Sequence, residues 1–154
     1  MKEILMSELL LKIYRFIYLL HQKRLFLLAK ILNIFLIRIP FGCRIGEGAK
    51  IGRGCTLGYG GIGIVIHHRV VIGNNVHVAT GVTIGGTSKK YEVPVIGSNC
   101  LIGTGAKILG PVKIGNNCVI GANAVVLRDI PDNCMAAGVP ASIKKRDIDI
   151  NNYI

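Results

Sequence analysis

The chain has 154 residues, enough for one domain and an appendage, with 20 glycines, no tryptophan and a mean hydropathy of +0.51. Its formal net charge of +11 calls for an acidic partner, either a phosphorylated cofactor or an anionic membrane surface. Nucleic acid is not expected, because no basic run is interleaved with aromatics and no recognition motif appears. The five cysteines and the lack of a small-residue cleavage site speak against a secreted disulfide framework and for the cytoplasm.

Residues 1–40 form an N-terminal helical segment with seven Lys/Arg against two acids. No glycine or proline precedes Pro40, so helix is expected up to that proline, which stops it. His21, Gln22, Lys23 and Arg24 mark a turn between two helices. The first is nearly all apolar, with a thin polar stripe through Glu8, Lys12 and Arg15. Neither offers 18 uninterrupted apolar residues, so a spanning helix is not expected. Two readings stand: packing against the rest of the protein or other subunits, or peripheral association with the inner membrane face.

From Ile45 to Leu127 the chain is a repeat. Aliphatic residues fall on a six-residue count, nine of them followed by glycine: at Ile45, Ile51, Leu57, Ile72, Ile84, Ile96, Ile102, Ile114 and Ile120. Ile66, Val78, Ile108 and Val126 complete thirteen hexads without the glycine. This period marks a parallel β-helix in which three hexads close one triangular coil. The first place points inward, and the fifth must be small, as Ala49, Cys55, Val70, Val76, Val82, Cys100, Ala106, Val112, Cys118 and Ala124 are. The count assigns Ile45, Ile66, Ile84, Ile108 and Val126 to one face. It assigns Ile51, Ile72, Ile96 and Ile114 to a second, and Leu57, Val78, Ile102 and Ile120 to a third.

Two places break the count. Residues 58–63 bulge from one corner, and residues 86–93 loop out before Pro94. Loops on a rigid scaffold are where function concentrates. The β-helix domain is expected over 41–143, followed by a basic and polar tail over 144–154 that contains Lys144, Lys145 and Arg146 and is expected to be mobile from Asp147 to Ile154.

His67 stands where the repeat calls for glycine, and His68 follows it. A corner places at least one imidazole outward, where it can serve as a general base. Both are candidate catalytic residues; the alternative is a pair of solvated corner histidines. His77 reads as a surface residue and His21 as inert. A catalytic zinc needs about three protein ligands, and adjacent histidines rarely share one ion, so no metal is expected.

The repeat, the segments GIVIHHRVVIGNNV and VTIGGTSKK, and the run IGTGAKILGPVKIGNNCVIGANAVVLRDIPDNCMAAGVPA resemble the hexapeptide-repeat acetyltransferases. The nearest group is the serine acetyltransferase type, including short relatives from polysaccharide gene clusters, and the likeness covers about residues 43–143. It implies a left-handed β-helix, mainly β with an N-terminal α-helical segment. It also implies a homotrimer, acetyl-CoA as co-substrate, active sites between subunits and direct acetyl transfer with a histidine base.

For the donor, the resemblance points to Gly86, Thr87, Thr104 and Ala122. Thr104 and Ala122 hold the same place one coil apart, about 4.8 Å, a ladder along which a pantetheine arm can run. The family's Asp-His pair falls on Gly58-Tyr59, its partnering aspartate on Arg44, and its acceptor-binding Arg-His on Glu92-Val93. Tyr59 and Glu92 are therefore the candidate acceptor-binding residues, and the base is expected at His67 or His68, beside the longer bulge. The expected activity is O-acetylation of a sugar hydroxyl of a surface polysaccharide or its precursor, with serine as the alternative acceptor. Outside that class stand a non-catalytic β-helix and a metal-dependent hydratase.

Overall fold

The computed structural model describes residues 2–153, with side chains from Leu5 onward. Met1 and Ile154, at the outer ends of the helical segment and the tail, lie outside the described residues. The coils form a left-handed parallel β-helix of about four turns.

Each face of the triangle is a parallel sheet. The first stacks β1 (Arg44–Ile45), β4 (Val65–Ile66), β7 (Thr83–Gly85), β10 (Lys107–Leu109) and β13 (Val125–Val126). The second stacks β2 (Lys50–Ile51), β5 (Val71–Ile72), β8 (Val95–Ile96) and β11 (Lys113–Ile114). On the third lie β3 (Thr56–Leu57), β6 (His77–Val78), β9 (Leu101–Ile102), β12 (Val119–Ile120) and β14 (Met135–Ala137). In-register pairing sets Ile45 on Ile66, Ile66 on Ile84, and Ile84 on Ile108. These first-place residues and the whole fifth-place column are buried. The six-residue count thus assigned each of the thirteen hexads to the face it occupies.

Glycine at the second place is a matter of space as much as of turning. A Cβ on Gly97 would stand 2.6 Å from the Gly115 carbonyl oxygen of the next coil. One corner is built differently, from asparagine. Asn75, Asn99, Asn117 and Asn133 all hold left-handed φ values of 54–56°, which asparagine tolerates better than most residues. Their side-chain amides form a ladder, each Nδ2 donating to the next Oδ1 at 3.1, 3.2 and 2.9 Å.

The first coil has no coil beneath it, and the helices close that end. Helix α1 (Lys2–Gln22) turns through Lys23 and Arg24 into α2 (Phe26–Asn33). The second helix does not stop at Pro40. A π-turn at Ile34–Arg38 widens the backbone just where the proline ring would crowd the preceding turn. Helix then continues as α3 (Ile39–Phe41) until Gly42, in the left-handed region at φ 59°, ends it. Three side chains satisfy exposed backbone groups of the first coil. Ser7 Oγ accepts from Leu57 N–H at 2.8 Å, and Asn33 Nδ2 donates to Ile45 O at 2.7 Å. The Tyr14 hydroxyl lies 2.8 Å from Gly46 O and 2.7 Å from Ala49 O, and donates between them. Burial pushes the Tyr14 phenol well above its usual range, so it stays a donor.

The bulge at 58–63 belongs to this cap. Gly60 and Gly61 are buried beneath α1; a Cβ on Gly61 would meet Leu10 Cδ1 at 2.9 Å. At the other end β15 (Ser142–Lys145) folds back antiparallel on β14. The tail expected to be mobile instead carries a 3-10 turn at Ile150–Asn152. It is tied down by Ile148 N–H donating to Asn133 O at 3.0 Å and by the buried Ile150.

Stripping a cap donor leaves a buried carbonyl unsatisfied, a cost of about 1–3 kcal/mol. Asn33→Leu is expected to lower unfolding free energy by about that amount, read as a lower urea midpoint at unchanged slope; an unshifted midpoint would mean that the helices do not cap the coil.

Candidate functional site

The first-to-second corner carries His67 and His68 on one coil and the 86–93 loop on the next. His67 N–H donates to Ile84 O at 2.9 Å, which locks the corner onto the coil above. His68 stands over Gly46, where a Cβ would come within 2.5 Å of the His68 backbone and 2.6 Å of its Cβ. Glycine at position 46 therefore gives His68 its seat. The two imidazoles lie with ring centroids 4.2 Å apart and planes tilted 32°.

Their hydrogen bonding differs. Arg69 N–H donates to His67 Nδ1 at 3.2 Å. An accepting Nδ1 fixes the neutral ring as the Nε2–H tautomer, so His67 presents a donor at its outer nitrogen. Burial, followed by His68, Arg69 and Arg44, pushes the His67 pKa below its ordinary value.

Two cavities meet at this corner. One, of about 360 Å³, lies between α2 and the coils and is lined by Arg38, Arg44, Glu47, His67, His68 and Gly86 among others. The other, of about 620 Å³, lies between the end of α1 and the loop, and its lining includes His21, His68, Arg69, Tyr91 and Glu92. His68 lines both, whereas His67 lines only the first. Arg69 pins the loop to the corner, its guanidinium carbon 3.9 Å from the Tyr91 ring centroid.

Gly86 thus shares a cavity with both histidines, and Glu92 shares one with His68. Thr87 is exposed on the same corner, 3.4 Å from where a Gly110 Cβ would stand. Thr104 and Ala122 are exposed on a different corner, between the third and first faces. Tyr59 lies on that corner too, in the bulge, 63% exposed and at φ 49°, and lines neither cavity. The bulge and the histidines are not neighbours on one corner: the bulge precedes the first face and serves the helical cap, while the histidines follow that face.

His21, read from the sequence as inert, stands in the last turn of α1 and lines the larger cavity, its Nε2 3.2 Å from where a Gly48 Cβ would stand. His77 is half-buried, its Nδ1 2.7 Å from Thr56 Oγ1, and burial lowers its pKa. Among the described residues, no group of three His, Cys, Asp or Glu side chains is placed to hold a metal ion.

Residues 94–128 match the family described as bacterial transferase hexapeptide (six repeats). A serine acetyltransferase of Staphylococcus aureus is 42% identical over 89 residues, 56% of this chain and 42% of that protein. A truncated serine acetyltransferase apoenzyme superposes with a TM-score of 0.85 at 38% identity, over 90% of this chain and 57% of that one. A serine acetyltransferase in complex with CoA gives a TM-score of 0.80 at 39% identity, over 87% of this chain and 55% of that one. The chain spans about half the length of the relatives it matches.

A lowered His67 pKa means that the folded protein resists its protonation, so the ring stays neutral above about pH 6.5, the unperturbed midpoint. In an NMR titration the His67 ring is expected to change below pH 6.5, and Arg44→Gln to raise that midpoint; a wild-type midpoint above 6.5 would contradict the arrangement.

Proposed function

We propose that this chain, a member of the hexapeptide-repeat group that resembles serine acetyltransferases, is an acetyl-CoA-dependent O-acetyltransferase. The observation that carries the reading is that His68 lies on the wall between two cavities, one touching the 86–93 loop at Gly86 and the other touching it at Glu92. The smaller cavity takes the donor: Lys30, Arg38 and Arg44 outnumber the single carboxylate Glu47 around it, which suits a phosphorylated molecule. The larger takes the acceptor.

In direct transfer the acceptor hydroxyl attacks the thioester carbonyl carbon, a C–O bond forms, and the C–S bond breaks. His68 accepts the hydroxyl proton and returns it to the departing CoA sulfur. His67, protonated at Nε2, donates a hydrogen bond toward the carbonyl oxygen as negative charge gathers there. This division follows from the hydrogen bonds: the Nδ1 lone pair of His67 is already engaged by Arg69 N–H, and a base needs a free one.

The names of the relatives support L-serine as acceptor over the sugar hydroxyl expected from the sequence. The sugar reading keeps one observation in its favour. The acceptor cavity, about 620 Å³, falls in the range that encloses drug-sized ligands, more room than serine needs. Thr104 and Ala122 enter the donor site only from another copy, since they stand on a separate corner of their own chain; this supports a homotrimer in which the two kinds of corner face one another.

The helical cap supports peripheral membrane association. Leu27 (73% exposed), Phe35 (63%), Ile39 (65%) and Phe16 (55%) face outward, with Arg15, Lys23 and Arg24 also exposed on the helices. Among the described residues no helix is long and apolar enough to cross a membrane. The full chain is expected to float with vesicles containing phosphatidylglycerol and not with phosphatidylcholine alone; a chain left at the bottom of the gradient in both cases would reject this association.

Turnover of acetyl-CoA against L-serine and a panel of sugars and nucleotide sugars, corrected for hydrolysis, tests the activity and separates the acceptors. His68→Ala is expected to lower kcat at least about 100-fold, the scale of general-base catalysis, and His67→Ala less than that. The reverse order would move the base to His67, and acceptor-independent thioester loss alone would reject the transferase reading.

A further inference from the structure

The acceptor cavity has a charge pattern that acetyl transfer to a plain hydroxyl does not require. Lys50, Arg69 and Lys113 line it against one carboxylate, Glu92. Strand pairing runs Lys50 to Val71, Val71 to Val95 and Val95 to Lys113, so two lysines flank an apolar floor. Three strand steps separate them, about 14 Å, too far for one small anion to touch both. Arg69 is at the near end of this floor, immediately after His68 and two residues before Val71.

Among the described residues, Arg69 is also the one with a buried side-chain donor left unpaired. Its Nε is buried without a hydrogen-bond partner, while its guanidinium carbon rests over Tyr91. The buried Nε is out of a ligand's reach, so recognition falls to the terminal Nη donors of a guanidinium whose plane the Tyr91 face holds in a fixed orientation. A planar, pre-oriented fork of donors suits a carboxylate or a phosphate, and Val71, Val93, Val95 and Val112 give it an apolar surround.

We infer that Arg69 anchors an oxyanion carried by the acceptor, a carboxylate or a phosphate, in the cavity beside His68. This rests on the acetyl-transfer reading and adds what the acceptor must carry besides its hydroxyl. Glu92 sits where the resemblance implies an acceptor-binding arginine, so the arginine available to the acceptor is at the corner and not in the loop. With the anion held on Arg69, Glu92 is free to take an ammonium or a hydroxyl, and Lys50 supplements the charge from the coil below.

Calorimetric titration of the full chain with acetyl-CoA, L-serine, glucose 1-phosphate and glucose tests the inference. Wild type is expected to bind at least one acid probe and to bind glucose at least about tenfold more weakly. L-serine alone would identify a carboxylate, and glucose 1-phosphate alone a phosphate. Arg69→Gln is expected to weaken the acid probe at least about tenfold while acetyl-CoA binds as before. Arg69→Lys keeps the charge over Tyr91 but loses the fork, so it should retain part of that affinity, and it serves if the glutamine variant unfolds. The inference is overturned if no acid probe binds, if glucose binds as tightly, if the acid affinity survives both substitutions, or if acetyl-CoA binding is lost with it. Failure of acetyl-CoA to bind wild type would instead reject the donor reading.

Discussion

Everything in this molecule depends on one register: three six-residue units per coil, so that each inward aliphatic lands on its counterpart in the next coil. Ile45, Ile66, Ile84 and Ile108 stack because the strands that carry them pair residue for residue. Slipping one residue would turn a strand's buried side chains outward. Extra chain can therefore leave only at a corner, where it disturbs no stack. The 86–93 loop is such a departure, and it leaves one coil above the two histidines.

A stacked ladder must still end. Unpaired strand edges are a liability, and this chain closes the lower edge with helices that donate and accept through Ser7, Tyr14 and Asn33. The same helices build the site. His21, at the end of α1, and Lys30 and Arg38, beyond the turn, are brought to the walls of the two cavities because the cap must lie against the first coil. The cap and the candidate site are thus one piece of construction. The outward helix faces are left apolar and basic, and the 58–63 bulge is spent on seating α1.

The faces were legible from the sequence because strand pairing here is a counting problem. Aliphatics six apart, with small residues at the fifth place, admit one arrangement. The asparagine corner was legible in principle as well: Asn75, Asn99 and Asn117 each precede a fifth-place residue and Asn133 precedes Cys134, a column that glycine counting passed over. Three features were not legible. The helix passes Pro40 because a π-turn makes room, which no local signal announces. The purpose of the bulge depends on where α1 lies, and His21 reaches the site only through that placement. At the site, His67 and His68 stood out as breaks in the repeat, but what tells them apart, the Arg69 N–H on His67 Nδ1, needed the structure.

Acetyl transfer is proposed to take place at the corner His68 shares between the two cavities, with a second copy completing the donor side. A crystal structure of the full chain with CoA tests it most directly. The expected result is a trimer with the CoA sulfur beside Gly86 and within reach of His68, its pantetheine arm lying along Thr104 and Ala122 of a neighbouring copy. A monomer, or a sulfur lodged away from this corner, would contradict it.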